Sequence, residues 1–174
     1  MIRRRAFAFV VAIFAIFFIA GCASPTRTTG HIDQKSTMWR GRLAVLVQAD
    51  PQAQPQPTPS QSIGAAFELQ GNAQQGSLIL LTPLGSTAAA VHWTPDLARL
   101  QSNGQTREFA SLNQLIVHLL GTNIPVTALF GWLDGQALTS EGWQVDLSQR
   151  DRGKILARRQ APVPQAELRV VLED

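Results

Sequence analysis

The side chains best suited to catalysis are three histidines and one serine, and their spacing does not favour an active site. His31, His92 and His118 fall on a polar segment, a predicted strand and a predicted helix, and no HExxH or other metal-ligand spacing joins them. Ser86 follows Gly85 but lacks the GxSxG pattern that positions the nucleophile of a serine hydrolase. A hydrolase using Ser86 with His92 or His118 is the remotest hypothesis, and those two histidines are expected to be partly exposed and structural.

The only cysteine, Cys22, has chemistry of a different kind. Three arginines at residues 3–5 precede an apolar run at residues 6–20, which is the layout of a secretory signal and is shorter than the roughly 20 residues that span a bilayer. The segment IAGC at residues 19–22 resembles the lipobox of bacterial lipoproteins. That resemblance implies N-acyl and S-diacylglycerol groups on Cys22. No other cofactor is expected, and no metal, because one cysteine and three unjoined histidines offer too few ligands. Ala23 stands where an aspartate would signal inner-membrane retention, which implies the outer membrane.

Charge and composition divide the chain into three parts. Removing the three leader arginines from the 15 basic residues leaves 12, which equals the 12 acidic residues, so the electrostatic argument for nucleic acid is lost. Residues 1–21 are predicted to be the signal peptide, and residues 22–38 a flexible acylated tether rich in Ser, Thr, Pro and Gly. Residues 39–174 are predicted to form one domain, stabilised by apolar burial because one cysteine cannot form an internal disulfide.

Alternating apolar residues predict strands through most of this domain, beginning with the runs at 43–47 and 63–69. The run at 78–81 is apolar on both faces and is expected to be covered on each side. Residues 50–61, rich in Pro and Gln, are expected to form a long hairpin loop that enters no ladder. With Asn103-Gly104 as a tight turn and further runs up to Leu172, the sequence predicts a strongly curved antiparallel sheet of seven or eight strands.

Two short helices are predicted before the strand at Trp143. Ser111 caps the first and Gly121 ends it, whereas the second follows Pro125 and ends at Gly135. Each helix has an apolar stripe, so the pair must lie against the concave face of the sheet. The side chains either fill that concavity or cover a space for an apolar ligand, and composition does not decide between these. The stripes are Leu112, Leu115, Ile116 and Leu119, then Val126, Leu129, Phe130 and Leu133.

Two surface features are also predicted. In the turn Thr82-Pro83-Leu84-Gly85, proline at the second place and glycine at the fourth suit a type I turn, which directs Leu84 outward at a loop tip. A basic cluster further along the chain is expected to be a solvated hairpin, and the alternative is a contact with anionic lipid or an acidic carrier. Its members are Arg150, Arg152, Lys154, Arg158 and Arg159, with Asp151 among them.

The lipobox and two motifs together resemble the LolB family of outer-membrane lipoproteins, over nearly the whole chain from Trp39. The motifs are LLTPLGST at residues 80–87 and IPVTALFGWLDG at residues 124–135. The resemblance implies an open antiparallel β-barrel with a short helical hairpin as a lid over an apolar cavity. The family leucine in the first motif protrudes and is required for delivering cargo into lipid, which implies the same role for Leu84.

The resemblance also implies a function. The protein would be a receptor anchored at the periplasmic face of the outer membrane. It would accept lipoproteins from a LolA-like periplasmic carrier by binding their acyl chains, and would insert them into outer-membrane phospholipid. Transfer down a gradient of affinity needs no nucleotide, since about fifteen methylenes leaving water contribute on the order of 12 kcal/mol. The protein is expected to act as a monomer without an enzymatic step.

Nine residues are expected to line the cavity, although the pattern does not separate cavity lining from plain core. The alternative function is an envelope-assembly accessory lipoprotein with a solid core, whose sheet and proline-rich loop bind proteins. Relative to the family, the chain has a proline-rich insertion, lacks a strand before Trp143 and stops at Asp174, so a smaller or more open barrel is expected. The nine residues are Phe67, Leu69, Val91, Trp93, Leu115, Leu119, Leu129, Phe130 and Leu133.

Overall fold

The computed structural model describes residues 37–140 and 142–173. The predicted signal peptide, residues 22–36 of the predicted tether, His31 and the predicted acylation of Cys22 lie outside these residues, whereas Met38, the last residue of the predicted tether, begins the first strand. The described chain forms nine strands, two α-helices and a short 3-10 turn at Arg150–Arg152. The strands are β1 Met38–Val47, β2 Gln61–Gly71, β3 Gly76–Leu81, β4 Thr87–Thr94, β5 Leu97–Ser102, β6 Gln105–Phe109, β7 Trp143–Asp146, β8 Lys154–Arg159 and β9 Ala166–Glu173; the helices are α1 Leu112–Leu120 and α2 Val126–Leu133.

All nine strands belong to one antiparallel sheet with the order β6-β5-β4-β3-β2-β1-β9-β8-β7. Because β6 and β7 do not pair with each other, the sheet does not close, and the predicted open antiparallel barrel is confirmed. The count of nine exceeds the seven or eight predicted. The shortest strand, β7, has only four residues, but all four pair with β8, so it counts as a strand of the sheet.

The concave face of this sheet carries the apolar residues. At the centre, Val45 of β1 lies opposite Ile63 of β2 and Leu168 of β9, so one row of the register places three apolar side chains side by side. The helices cover this face, and Leu115 of α1 and Trp132 of α2 are almost completely buried there. Burial of an aromatic side chain such as Trp132 removes about 150–250 Å² of surface from water. This packing of the helices on the concave face stabilises the curved sheet.

One expectation about the strands was wrong. β3 is not covered on both sides: Leu78 and Leu80 face the helices, but Ile79 pairs with Glu68 and lies half-buried on the outer face with Leu81. In the neighbouring β4, a register shift at Leu80/Leu81 places Thr87 opposite Leu81. The inward alternation therefore starts at residue 89.

The proline-rich segment between β1 and β2 is mostly the loop that was predicted, but it does enter a ladder. Asp50 and Thr58 form an isolated antiparallel bridge, with N–H to O distances of 2.9 and 3.0 Å. Neither residue is a proline, so each retains the backbone N–H that the bridge requires. In addition, Gln61 is the first residue of β2, so the prediction that the tract pairs with nothing was wrong at three positions.

Local turn and cap predictions are confirmed. The side chain of Ser111 accepts a hydrogen bond from the Gln114 amide at 3.2 Å and caps α1, and Gly121 ends it in the left-handed conformation (φ 65°). Asn103 and Gly104 both have positive φ, as a type I′ hairpin turn requires. Among the described residues, neither helix has the length and hydropathy needed to cross a bilayer.

Candidate functional site: an apolar cavity beneath two helices

A cavity of about 160 Å³ lies between the concave face of the sheet and the two helices. All the residues that line it are apolar, and none of them is charged. A space with apolar walls offers water no hydrogen-bond partner and can accept a small apolar group. The space is smaller than the ~300–1,000 Å³ typical of ligand sites, so in this closed form it accommodates a segment of an acyl chain rather than several whole chains.

Most of the residues predicted for this cavity are brought together around it. Phe67 and Leu133 are exceptions, because both are buried within the core and neither lines the space. Leu119 lies at the edge of the cavity and is 36% exposed, so it also forms part of the surface. The seven predicted residues that line the space are Leu69, Val91, Trp93, Leu115, Leu119, Leu129 and Phe130.

Sequence reasoning missed thirteen further lining residues. Several continue patterns that were already visible: Leu78 and Leu80 are alternate residues of β3, and Ile116 completes the stripe of α1. Applying the alternation of every strand to the cavity would have found them. The missed residues are Leu43, Val45, Ile63, Leu78, Leu80, Ala89, Leu100, Leu112, Ile116, Leu120, Ile124, Val126 and Leu168.

Aromatic contacts hold α2 over the cavity. The Phe130 ring of α2 packs edge-on against Trp39 of β1, with ring centroids 5.4 Å apart, and lies 6.4 Å from Trp93 of β4. Trp93 is itself fixed by a 3.0 Å hydrogen bond from its Nε1 to the backbone oxygen of Asn72. Because edge-on aromatic pairs add about 0.5–1.5 kcal/mol to simple burial, these rings give α2 a defined seat on the sheet.

The cavity adjoins two surface depressions. Trp93, Leu112 and Val126 line both the cavity and an open cleft of about 730 Å³, whose other walls are largely polar. Leu100 and Leu119 line both the cavity and a groove of about 200 Å³ beside the β5–β6 hairpin. A small displacement of α1 would therefore connect the apolar space with the surface on either side.

Leu84 projects from the turn between β3 and β4. The Gly85 amide donates to the Thr82 carbonyl at 2.9 Å, and Gly85 has a φ of +80°, which a residue with a side chain rarely adopts. Leu84 is 93% exposed, the highest value among the large apolar side chains of the described residues. The predicted outward direction is confirmed, and the role in delivering cargo stays a prediction.

Arg159 is not part of a solvated hairpin, and that expectation was wrong. It occupies an inward position of β8, two residues after Ala157, and is buried. Its guanidinium donates to Thr122 Oγ1 and to the Pro164 carbonyl at 2.7 Å, and lies 5.8 Å from the centre of the Trp143 ring. Burial lowers the pKa of this guanidinium, which still stays protonated at neutral pH. The residue ties the connection between the helices to the sheet.

The rest of the basic cluster lies at the surface. Arg158 and Arg169 both donate to Glu167, at 2.7 and 2.6 Å. The hydrogen bond from Arg158, and then the one from Arg169, lowers the pKa of the Glu167 carboxyl. Arg150 is exposed only in part, because its Nε donates to the backbone oxygen of Leu133 at 3.1 Å.

The side chains considered for catalysis are dispersed. His92 is exposed on the outer face of β4, and His118 of α1 lies beside Phe109, with ring centres 5.2 Å apart. Ser86 is held within its own turn, where its amide donates to Thr82 Oγ1 at 3.2 Å. Within residues 37–140 and 142–173 there is no group of three or more His, Cys, Asp or Glu side chains arranged to hold a metal ion.

The unpaired edges of the sheet, the two covering helices and the apolar space between them define an open antiparallel β-barrel with a helical lid. Residues 38–165 match the family described as "Outer membrane lipoprotein LolB". The chain belongs to the LolB family, which confirms the resemblance predicted from its motifs.

Individual relatives agree with this assignment. The chain is 30% identical over 158 residues to the outer-membrane lipoprotein LolB of Dechloromonas aromatica, covering 80% of each chain. It is 27% identical over 177 residues to the Bordetella pertussis protein of that name, covering 88% of this chain and 86% of the relative. It is 24% identical over 162 residues to the protein from Shewanella oneidensis, covering 88% and 70%.

Proposed function

We propose that this protein is an outer-membrane lipoprotein receptor, which accepts lipoproteins from a LolA-like periplasmic carrier and inserts them into the outer membrane. The observation that carries the proposal is the apolar cavity of about 160 Å³ beneath α1 and α2. A protein-binding scaffold, the alternative function, needs a filled core and has no use for such a space. The relatives named above are outer-membrane lipoproteins, which supports the same location for this chain.

The anchoring part of the proposal concerns the N-terminal region. Residues 1–21 are the proposed signal peptide, Cys22 the proposed acylated residue, residues 22–38 the tether, and residues 39–174 the cargo-binding domain. One acyl chain binds a membrane only marginally, whereas two already give stable anchoring. Acylation at both the amine and the thiol of Cys22 would therefore hold the receptor permanently in its membrane.

Binding and release follow from the cavity's chemistry and size. Every methylene of a cargo acyl chain that leaves water contributes about 0.8 kcal/mol, and the cavity offers no polar partner that would compete. Because the closed space is too small for whole chains, loading requires α1 and α2 to move away from the sheet. That displacement costs free energy, so the bound state is less favourable than a bilayer, and cargo passes to lipid without ATP.

The test of this function uses two neighbouring alanines that face opposite sides of β4. Ala89 lines the cavity and Ala90 lies on the outer face. The full-length protein is mixed with carrier loaded with an acylated cargo, and transfer is followed without ATP. Ala89→Phe should fill the space and reduce uptake at least tenfold, whereas Ala90→Phe should stay within about twofold of the unmodified protein.

Circular dichroism and thermal unfolding check that both variants fold. If the unmodified protein takes no cargo from the carrier, the receptor function is wrong. If Ala89→Phe folds and takes cargo at the normal rate, or if both variants lose uptake equally while folded, the cavity is not the binding site.

A further inference from the structure

The end of the sheet that carries Leu84 has a second exposed apolar tip. Alternate connections of an antiparallel sheet lie at the same end, which groups residues 48–60, 82–86, 103–104 and 160–165. We call this the loop end. Val163, in the connection between β8 and β9, is 65% exposed and is second only to Leu84 among the large apolar side chains of the described residues.

We propose that Val163 is a second apolar contact with the lipid surface, and that the loop end of the domain lies against the bilayer through both residues. This inference rests on the proposed function and on the predicted role of Leu84 in delivering cargo into lipid. A single exposed apolar residue is ordinary on a protein surface. Leu84 and Val163 are the two most exposed large apolar side chains of the described residues, and both lie at tips of the same end of the sheet. This arrangement indicates an apolar binding partner at that end.

Charge at the loop end fits that neighbour. The four connections there contain one charged residue, Asp50. Approach to a bilayer removes water from loop tips, and each ionised group in that layer would add a desolvation cost of several kcal/mol. A loop end built from Gln, Ser, Thr, Asn, Gly, Ala and Pro keeps this cost low. The opposite end of the sheet shows the contrast, since its three strand-to-strand connections contain four charged residues, Asp96, Arg150, Asp151 and Arg152.

The distance between the two tips favours contact with a flat surface over contact with a protein that has two matching pockets. The β3–β4 turn and the β8–β9 connection are separated by about four strand spacings, or at most about 20 Å measured along the sheet. A bilayer surface reaches both at once without any matching shape. On the outer face of β8 and β9, Arg158 and Arg169 share the carboxylate of Glu167, and Arg158 also interacts with the carboxylate of Asp146. This group is neutral overall and therefore does not repel an anionic lipid surface.

Val163 is presented on a loop that two hydrogen bonds fix just after this residue. The Arg159 guanidinium donates to the Pro164 carbonyl at 2.7 Å. The Gln48 amide of the neighbouring β1–β2 connection donates to the Gln165 carbonyl at 2.8 Å. Because little loop freedom is lost when such a tip enters lipid, the entropic cost of the contact is small.

The first experiment measures membrane depth in the full-length acylated protein, reconstituted into vesicles of phosphatidylethanolamine and phosphatidylglycerol. Cysteine is introduced in turn by Leu84→Cys, Val163→Cys and Val171→Cys, and carries a fluorescent label that lipid-borne nitroxides quench. Val171 is the matched control, because it is 43% exposed but lies on the outer face of β9, away from the tips. The protein without an added cysteine gives the background.

Quenching at residues 84 and 163, with little at residue 171, is the expected result. If residue 84 is quenched and residue 163 is not, the inference is wrong while the proposed function stands. If residue 163 responds to added carrier protein and not to the lipid quencher, its partner is a protein and the lipid contact is excluded. Failure of the proposed function is recognised separately, by the absence of cargo uptake from the carrier.

The second experiment measures delivery into vesicles by full-length variants. Val163→Ser should slow delivery by about three- to tenfold, the range expected when one partly inserted valine is lost. Val171→Ser should leave delivery within about twofold, and both variants should take up cargo from the carrier normally. Normal delivery by Val163→Ser would overturn the inference.

Discussion

The two ends of the sheet are made by the same nine strands, yet their connections differ in charge and in exposed apolar side chains. The four strand-to-strand connections of the loop end contain one charged residue and two exposed apolar tips, Leu84 and Val163. The three connections of the opposite end contain four charged residues, and residues of two of them line the cleft of about 730 Å³. Strand pairing alone imposes no such difference. The contrast indicates that each end faces a different medium, and the following predictions test it.

The largest effect is expected from a charge placed at the most exposed apolar tip. Leu84→Glu should reduce delivery of cargo into liposomes tenfold or more, because the lost apolar contact and the added desolvation of a carboxylate act in the same direction. Stability should change by less than about 0.5 kcal/mol, since the side chain is 93% exposed. Gln74→Glu, which adds the same charge to the opposite end, is the control. Equal losses for both variants would remove the distinction between the ends.

A second prediction uses the position of the N-terminus. β1 starts at the opposite end of the sheet, and its ten residues rise about 33 Å. Residues 23–37 can span at most about 50 Å, enough to let the loop end reach the membrane in which Cys22 is proposed to be anchored. Deleting residues 27–34 leaves seven residues, which reach only about 24 Å. Delivery by the anchored protein should then fall by roughly fivefold, in line with a lower effective concentration at the surface.

The control replaces residues 27–34 with Gly and Ser at unchanged length and should deliver normally. Both proteins should take cargo from the carrier at the same rate, because the cavity is untouched. If the deletion variant delivers as well as the unmodified protein, the loop end does not need to reach the anchoring membrane.

The hydrogen bond between Arg159 and Thr122, which helps to hold the β8–β9 connection in place, should contribute about 1–3 kcal/mol to the free energy of unfolding. Thr122→Val removes the hydroxyl that accepts from Arg159 and leaves a buried guanidinium with fewer partners. Urea unfolding measures the change, and Thr106→Val, at an exposed site on β6, should stay within about 0.5 kcal/mol. Hydrogen exchange should also become faster in residues 160–165. An unchanged midpoint would show that Arg159 does not hold this connection in place.

The sequence predicted best where the physical cause is local. The turn at Asn103-Gly104 needs two residues that tolerate positive φ, and the start of α1 at Ser111 needs one hydroxyl three residues from an amide. These requirements are met within a few residues, so no knowledge of distant parts of the chain is needed. The protruding Leu84 follows in the same way from its turn.

The cavity shows where local reasoning stops. Phe67 and Leu69 belong to the same alternating face of β2, but only Leu69 borders the empty space. The difference depends on where α1 and α2 rest, which is a property of the whole fold. Arg159 was misplaced for a related reason: its charge suggested solvent, whereas its strand register pointed inward, and the partners that make its burial possible, Thr122 and Pro164, come from other connections.

The smallest expected effect concerns the charges behind the loop end. Hydrogen bonds from Arg158 and Arg169 lower the pKa of Glu167 in the folded protein. The ionised carboxylate therefore stabilises the fold at neutral pH. This contribution begins to be lost below about pH 4.5, the ordinary pKa of Glu, and is gone once the pH has fallen through the lowered pKa of the folded protein. Glu167→Gln should therefore cost less than about 1 kcal/mol at pH 7, as expected for a surface ion pair, and nothing once the carboxyl is protonated. Urea unfolding at pH 7 and at stepwise lower pH, until the difference between the two proteins stops changing, measures both values. The same variant removes one negative charge next to Arg158 and Arg169, so binding to vesicles with anionic lipid should rise slightly at low salt. A cost that does not depend on pH would mean that Glu167 acts through packing, and unchanged binding would mean that these charges do not face the lipid.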